Sequence, residues 1–207
     1  MKIVKISSSE EWCNTYFIGE EGKPCLIVDP GDNSNNRLDN YLSKHHGVCV
    51  GILITHGHSD HIAGLATLKT GAPVFMMEED ERCLYDGKYS LDKSLDLGNI
   101  RPYLLSDEDE IKLGDYLVTV IATPFHTEGS CCFYFKQDNV LFSGDTLFHL
   151  AIGRTDFPGG GEDSVEPSLA KLAKLPAITK VYPGHYGETT IGNEIKYNPA
   201  FCFLAHR

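Results

Sequence analysis

One stretch limits what this chain can become: Gly51-Ile-Leu-Ile-Thr-His-Gly-His-Ser-Asp-His-Ile-Ala-Gly64. The apolar run from Cys49 to Ile54 reads as a buried strand, and the segment from Ile62 as the start of a helix. Between them His56, His58, Asp60 and His61 crowd a single turn. Four such groups taken out of water side by side cost more than a turn returns, unless a cation neutralises them. Imidazole and carboxylate donors together suit zinc, iron or manganese. The strand–turn–helix setting is the one in which such a cluster serves a metal.

The 207 residues are enough for one domain with a substantial core of its own. No apolar run approaches the roughly 20 residues of a membrane helix, and Met1-Lys-Ile-Val-Lys-Ile6 lacks the apolar core of a signal peptide. A cytoplasmic location is the expectation. The net charge of −11 argues against a nucleic-acid partner. The acidic runs Glu78–Glu81 and Asp107–Glu110 read as solvated starts of elements. The seven cysteines form no C-x-x-C pair and suit free thiols in a reducing compartment. Cys131 and Cys132 are neighbours in an expected strand, so they face opposite ways. Most such cysteines are small buried hydrophobes.

The pattern predicts strands at Lys2–Ile6, Cys13–Ile18 and Cys25–Asp29. Pro30-Gly31 stops the third, and Asp32 to Asn36 offer caps for a helix through about Lys44. Asp29, at a strand end, is either a partner for a metal-bound histidine or an ordinary turn aspartate. Further expectations are a helix over Ile62–Lys69, a strand over Val74–Met77 and a helix over Glu78–Tyr85. Residues 86–101 are either a surface loop or a lid. Strands follow at Ile111–Leu113, Tyr116–Ile121, Ser130–Lys136 and Val140–Ser143, with turns at Gly114-Asp115 and Asp138-Asn139. A helix over Glu166–Leu175, a strand over Lys180–Tyr182 and a last helix from Gly192 complete the chain. Two β-rich halves, each with helices, suggest an α/β (α+β) domain over residues 1–207 with two sheets face to face and helices outside.

The run Thr55-His-x-His-x-Asp-His61 resembles the signature of the metallo-β-lactamase fold superfamily. His126 in Thr-Pro-Phe-His-Thr-Glu-Gly-Ser130, Asp145 in Phe-Ser-Gly-Asp-Thr146 and His185 in Tyr-Pro-Gly-His185 continue that resemblance in order and spacing. It implies a four-layer αββα sandwich and two divalent metal ions, zinc first, with iron or manganese able to substitute. By analogy His56, His58 and His126 hold one metal, Asp60, His61 and His185 the other, and Asp145 bridges them. Two such ions share a water and lower its pKa from 15.7 towards about 7. Asp60, as the unshared carboxylate, takes the catalytic role of orienting that nucleophile. Lactamases of the zinc type usually carry cysteine where Asp145 stands.

Gly144-Asp-Thr-Leu-Phe148, Gly153-Arg-Thr-Asp-Phe-Pro-Gly-Gly-Gly161 and Tyr182-Pro-Gly-His-x-Gly-Glu-Thr-Thr-Ile-Gly192 are similar to the glyoxalase II-type hydrolases, in their short single-domain branch. The resemblance extends to Glu194 and Asn198-Pro199. It implies a small-molecule substrate, a hydroxyacyl thioester such as S-lactoylglutathione, with Arg154 either facing substrate or held in a structural salt bridge. His149, close to Asp145 in sequence, either lines the pocket entrance or is an exposed loop histidine. The chain departs from the pattern at Glu128, where Pro is common, and at Tyr186, where Gly is common after Pro-Gly-His. A second class, persulfide dioxygenase, shares the Gly-Arg-Thr-Asp-Phe stretch and would use one iron on His56, His126 and Asp145. A lactonase-like hydrolase is a third reading.

Overall fold

The structure is a computed structural model that describes residues 1–7 and 13–206, without the side chains of 204–206. The strands are β1 (Ile3–Ile6), β2 (Thr15–Ile18), β3 (Cys25–Val28), β4 (Cys49–Leu53), β5 (Val74–Met77), β6 (Tyr103–Leu105), β7 (Glu110–Leu113), β8 (Tyr116–Ala122), β9 (Cys131–Phe135), β10 (Val140–Gly144), β11 (Leu147–Phe148), β12 (Ala151–Ile152), β13 (Lys180–Pro183) and β14 (Thr189–Thr190). The helices are α1 (Arg37–His45), α2 (Ser59–Ile62), α3 (Val165–Leu172) and α4 (Ile191–Tyr197). β1 to β6 lie in chain order in one six-stranded sheet, and a second runs β14-β13-β10-β9-β8-β7.

Alternation along the strands builds the layers. In β3, Leu26 and Val28 join the core between the sheets, while Cys25 and Ile27 join the outer cluster with Leu38 and Leu42 of α1 and Ile62 of α2. In β10, Val140 and Phe142 face inward and Leu141 outward, against Leu169 and Leu172 of α3 and Ile191 of α4. Strands covered on both faces therefore read as unbroken apolar runs. The outcome is the αββα sandwich. Cys131 and Cys132 divide in the same way, one between the sheets and one beneath α3. All seven cysteines are free thiols, and only Cys202 is exposed. No helix is long and apolar enough to cross a membrane among the described residues.

Three expectations need correction. The helix placed at Ile62–Lys69 instead starts at Ser59 and passes into a 3-10 turn over Ala63–Ala66. His58 is its extended cap residue, so the metal motif itself forms the first helical turn. The segment Glu78–Leu84 is 3-10 rather than α. Within it Asp80 is 1% exposed and not solvated, because it serves the site described below. Residues 86–101 hold neither helix nor strand, yet Ser90 and Leu97 are buried and the Ser90 carbonyl accepts from the Ser59 amide at 2.7 Å. Of the two readings it is the surface loop, exposed or half-buried at its other positions and anchored to α2 through Ser90.

β4 runs parallel to β3 and β5, and β10 runs parallel to β13. β8 and β10 are each antiparallel to β9, so they too point the same way. The C-terminal ends of β8, β10 and β13 therefore share one edge. There the sheets meet closely: the Cys131 amide donates to the Thr55 carbonyl at 2.9 Å. Gly144 at the end of β10 has φ 49°, and a Cβ on it would lie 2.3 Å from Thr55 Oγ1. Gly144→Ala combines a left-handed backbone with a steric clash and should cost about 3 kcal/mol. Denaturant unfolding should show a lower midpoint, and an unchanged midpoint would mean that the sheets yield here.

Candidate metal centre

The site grows from the end of β4. The Thr55 amide and hydroxyl donate to Asp29 Oδ1 and Oδ2 at 2.8 and 2.7 Å. Asp29 follows β3 in a left-handed conformation, φ 49°, and is buried. Its Oδ2 also lies 2.9 Å from His61 Nδ1. One carboxylate thus ties two parallel strands to the first turn of α2. This settles the open reading of Asp29: it partners a candidate ligand.

The other candidates arrive on loops at the same edge. His126 follows β8, Asp145 follows β10 and His185 follows β13. His58 Nδ1 is 3.1 Å from His56 Nε2 and 2.9 Å from His126 Nε2. Asp60 Oδ2 is 3.1 Å from His185 Nε2 and 3.6 Å from His61 Nε2. Asp145 lies between these groups. Its Oδ2 is 3.5 Å from His126 Nε2 and 3.6 Å from His185 Nε2, while its Oδ1 is 3.4 Å from His61 Nε2. Donor atoms of His56, His58 and His126, of Asp60, His61 and His185, and of His56, His61 and Asp145 come together in three groups, each within 4.8 Å.

The ring nitrogens turned away from the centre decide how these histidines present themselves. His126 Nδ1 lies 2.8 Å from the Arg154 carbonyl, which can only accept, so Nδ1 carries the proton. His56 Nδ1 is 3.2 Å from Thr55 Oγ1, whose own proton goes to Asp29. Both rings therefore aim an Nε2 lone pair inward. Burial, then the neighbouring histidines, hold His56 neutral, and burial with His126 and His61 pushes His58 down to about 3. Burial acts the same way on His61, but Cys13 and the carboxylates of Asp60, Asp145 and Asp29 outweigh it and raise its pKa well above the usual value. Burial opposes ionisation of Asp145 and Asp60 too, yet His61 and His185 hold both below the usual carboxylate range.

His61 Nε2 and Asp145 Oδ1 face each other at 3.4 Å, and both are buried with no hydrogen-bond partner among the described residues. Such atoms are costly unless something else satisfies them. A cation would do so, and it would compete with the proton on His61 for the same lone pair. Six imidazole and carboxylate side chains around a shared Asp145 fit a dinuclear centre.

Glycines let the backbone come this close. A Cβ on Gly184 would stand 2.3 Å from Asp145 Oδ1, and one on Gly153 would stand 2.0 Å from the Asp145 carbonyl. Asp80 braces the opposite side: it accepts from the Gly57 amide at 2.8 Å, the Gly129 amide at 2.9 Å and the Thr127 hydroxyl at 2.7 Å. It thereby fastens the His56–His58 turn to the His126 loop, with burial raising its pKa against those bonds. Nothing local in the acidic run Glu78–Glu81 sets Asp80 apart, since its partners lie 23 to 49 residues away. Glu194, also fully buried, accepts from the Leu150 amide at 2.8 Å and anchors the β11–β12 turn to α4.

The two proposed substrate residues lie differently. The exposed Arg154 guanidinium grips Asp156 at 2.9 and 2.8 Å and sits 4.4 Å above the Phe157 ring. Phe157 in turn contacts His58 and His126, with ring centroids 5.1 and 5.6 Å apart, so Arg154 stands at the rim of the centre. His149 is exposed and lines a surface depression with Lys180, Glu188, Thr189, Thr190 and Asn193, none of which is a candidate ligand.

Loss of the Asp29 carboxylate frees the His61 ring and removes the acceptor that sets its tautomer. Asp29→Ala should weaken metal binding about 10- to 100-fold, read by competition with a chromogenic chelator. Wild-type affinity in a folded variant would show that His61 is oriented by other contacts.

Known proteins share this fold and part of this sequence. The hydroxyacylglutathione hydrolase GloC of Haemophilus influenzae is 30% identical over 207 residues, covering 96% of both chains. A B3 metallo-β-lactamase, BLEG-1, superposes with a TM-score of 0.88 at 30% identity, over 97% of this chain and 100% of that one. TTHA1623, solved in a di-iron-bound form, gives a TM-score of 0.80 at 28% identity, over 95% and 98%. Residues 11–185 match the metallo-β-lactamase superfamily, and the chain belongs to it.

Proposed function

We propose that this protein is a metal-dependent hydrolase of small hydroxyacyl thioesters. The observation that carries the reading is the placement of Asp145, whose Oδ2 lies 3.5 Å from His126 of one ligand set and 3.6 Å from His185 of the other, with Oδ1 turned to His61. The likeness to GloC over nearly the full length supports the substrate class. The residue set would hold two divalent cations, one on His56, His58 and His126 and one on Asp60, His61 and His185, sharing Asp145. Such cations supply an acidified water and an electrophile for a carbonyl. Zinc suits the donors, as do iron and manganese.

The chain's own residues supply the rest. Asp60 is the carboxylate most open to solvent in the group, its side chain 29% exposed, so it can accept a hydrogen bond from an incoming water and orient it. Asp29, Thr55 and the Arg154 carbonyl hold His61, His56 and His126 in one tautomer each. A departing thiolate needs no protein acid, because a free thiol ionises near pKa 8.5. Arg154 at the rim offers a charge for an anionic thiol carrier such as glutathione. Free thiols throughout fit a reducing compartment, the cytoplasm, and the net charge of −11 fits small-molecule rather than nucleic-acid partners.

Protein purified without chelator should carry close to two equivalents of metal and cleave S-lactoylglutathione. Asp145→Ala should lose metal and on the order of a hundredfold or more in kcat/KM. One equivalent of iron alone, with oxygen uptake on glutathione persulfide, would move the assignment to a dioxygenase. Preferential turnover of a β-lactam would move it to the lactamase side. Arg154→Ala should raise KM for S-lactoylglutathione a few-fold, as exposed charges do, and leave kcat intact. An equal rise on an uncharged acyl thioester would show that Arg154 serves only its pair with Asp156.

A further inference from the structure

Tyr186 follows His185 directly, and its backbone is left-handed at φ 66°. Every residue but glycine adopts that conformation at a cost. The conformation is imposed from the other sheet. Asn14, which is buried, donates through its amide nitrogen Nδ2 to the carbonyls of Pro183 and Tyr186 at 3.0 and 3.1 Å, and through its backbone amide to Gly184 at 2.6 Å. Lys5 Nζ reaches the Tyr186 carbonyl as well, at 3.3 Å. A glycine would follow this path freely. Burial does not explain the tyrosine either, because the residue is 74% exposed.

What the side chain does is stand beside the centre. Its ring meets Phe148 edge-on at 5.5 Å and 88°, and both rings lie 6.2 Å from that of His185. Across the centre, Phe157 lies against His58 and His126 beneath the Arg154 guanidinium. The ligand group is thus bordered by an aromatic wall with the Arg154 guanidinium over its ring, paired with Asp156, and by a second aromatic wall over whose rings no cation sits among the described residues, since Lys5 is engaged on the Tyr186 carbonyl. The first suits the anionic thiol half of a thioester, which leaves the acyl half for the second.

We propose that Tyr186 is a specificity-determining residue, its ring forming with Phe148 a shelf for a flat, apolar substituent on the acyl group. The proposal rests on the hydrolase reading and names the acyl class that this hydrolase prefers: aryl 2-hydroxyacyl over short aliphatic 2-hydroxyacyl thioesters. Strained non-glycine backbone clusters at ligand-binding sites, and here it sets an exposed ring beside His185. A stacked or edge-on ring also adds affinity beyond its buried area.

S-Mandeloylglutathione and S-lactoylglutathione differ only by phenyl for methyl, so their kcat/KM ratio on the metal-loaded protein reads the shelf. Tyr186→Ala should lower that ratio about tenfold, near the upper end of what one aromatic contact supplies, mainly through KM. Tyr186→Phe should retain it. Tyr186→Gly should lose the ratio as Tyr186→Ala does while its Tm stays level or rises, because the backbone strain is released. Loss of both substrates to the same degree, or an unchanged ratio, overturns the proposal. If the wild type cleaves neither thioester, the hydrolase reading falls, and the shelf is judged by calorimetry with mandelate and lactate. Mandelate affinity must then drop in Tyr186→Ala and persist in Tyr186→Phe, and equal affinity in both variants overturns it.

Discussion

A buried carboxylate with three donors, Asp29, is the contact on which the rest of the site depends. It accepts from the Thr55 amide and hydroxyl and faces His61 Nδ1, so it joins β3, the end of β4 and the start of α2 in one place. A charge in such surroundings is tolerated only when fully hydrogen-bonded. Here those bonds also hold Thr55 against His56, and Thr55 is the residue on which Gly144 of the other sheet packs. Orientation of the histidines and apposition of the sheets are therefore parts of one constraint.

The sandwich delivers its ligands through strand direction. β4 in one sheet and β8, β10 and β13 in the other end at a common edge, and each is followed by a loop that carries a candidate ligand. The interior between the sheets is apolar and rigid, with Phe133, Phe135 and Phe142 at its centre. Close packing of this kind leaves little freedom for the strand ends. Loops that start from fixed ends and are braced by Asp80 and Glu194 hold their side chains without needing regular structure.

Two pairs of side chains, each with an aromatic ring, border the centre. Phe157 and Arg154 sit beside His58 and His126, and Phe148 and Tyr186 sit beside His185. Each pair combines an apolar face with a different polar complement. Chemistry set by the ligands can then be directed to a substrate class by rim residues that cost the fold little.

Much of this was legible in the chain itself. The spacing of His56, His58, Asp60 and His61 after an apolar run implies a metal turn, because no other arrangement of those groups is affordable in a buried loop. The unbroken apolar runs at Cys25–Val28 and Val140–Phe142 imply strands covered on both faces. What sequence could not supply depends on distant partners. Asp29 stayed evenly balanced between two readings, because its role is set by Thr55 and His61, 26 and 32 residues away. Asp80 looked solvated in a run of acids, and only the folded chain brings Gly57, Thr127 and Gly129 to its oxygens. The start of α2 was misplaced by three residues, since a turn shaped by ligand geometry carries no helical periodicity. Tyr186 appeared only as a departure from a pattern, and its strained backbone is visible only where Asn14 of the first sheet grips it. Local chemistry is written in spacing, whereas the partners that orient it are chosen by tertiary packing, which joins residues that spacing does not relate.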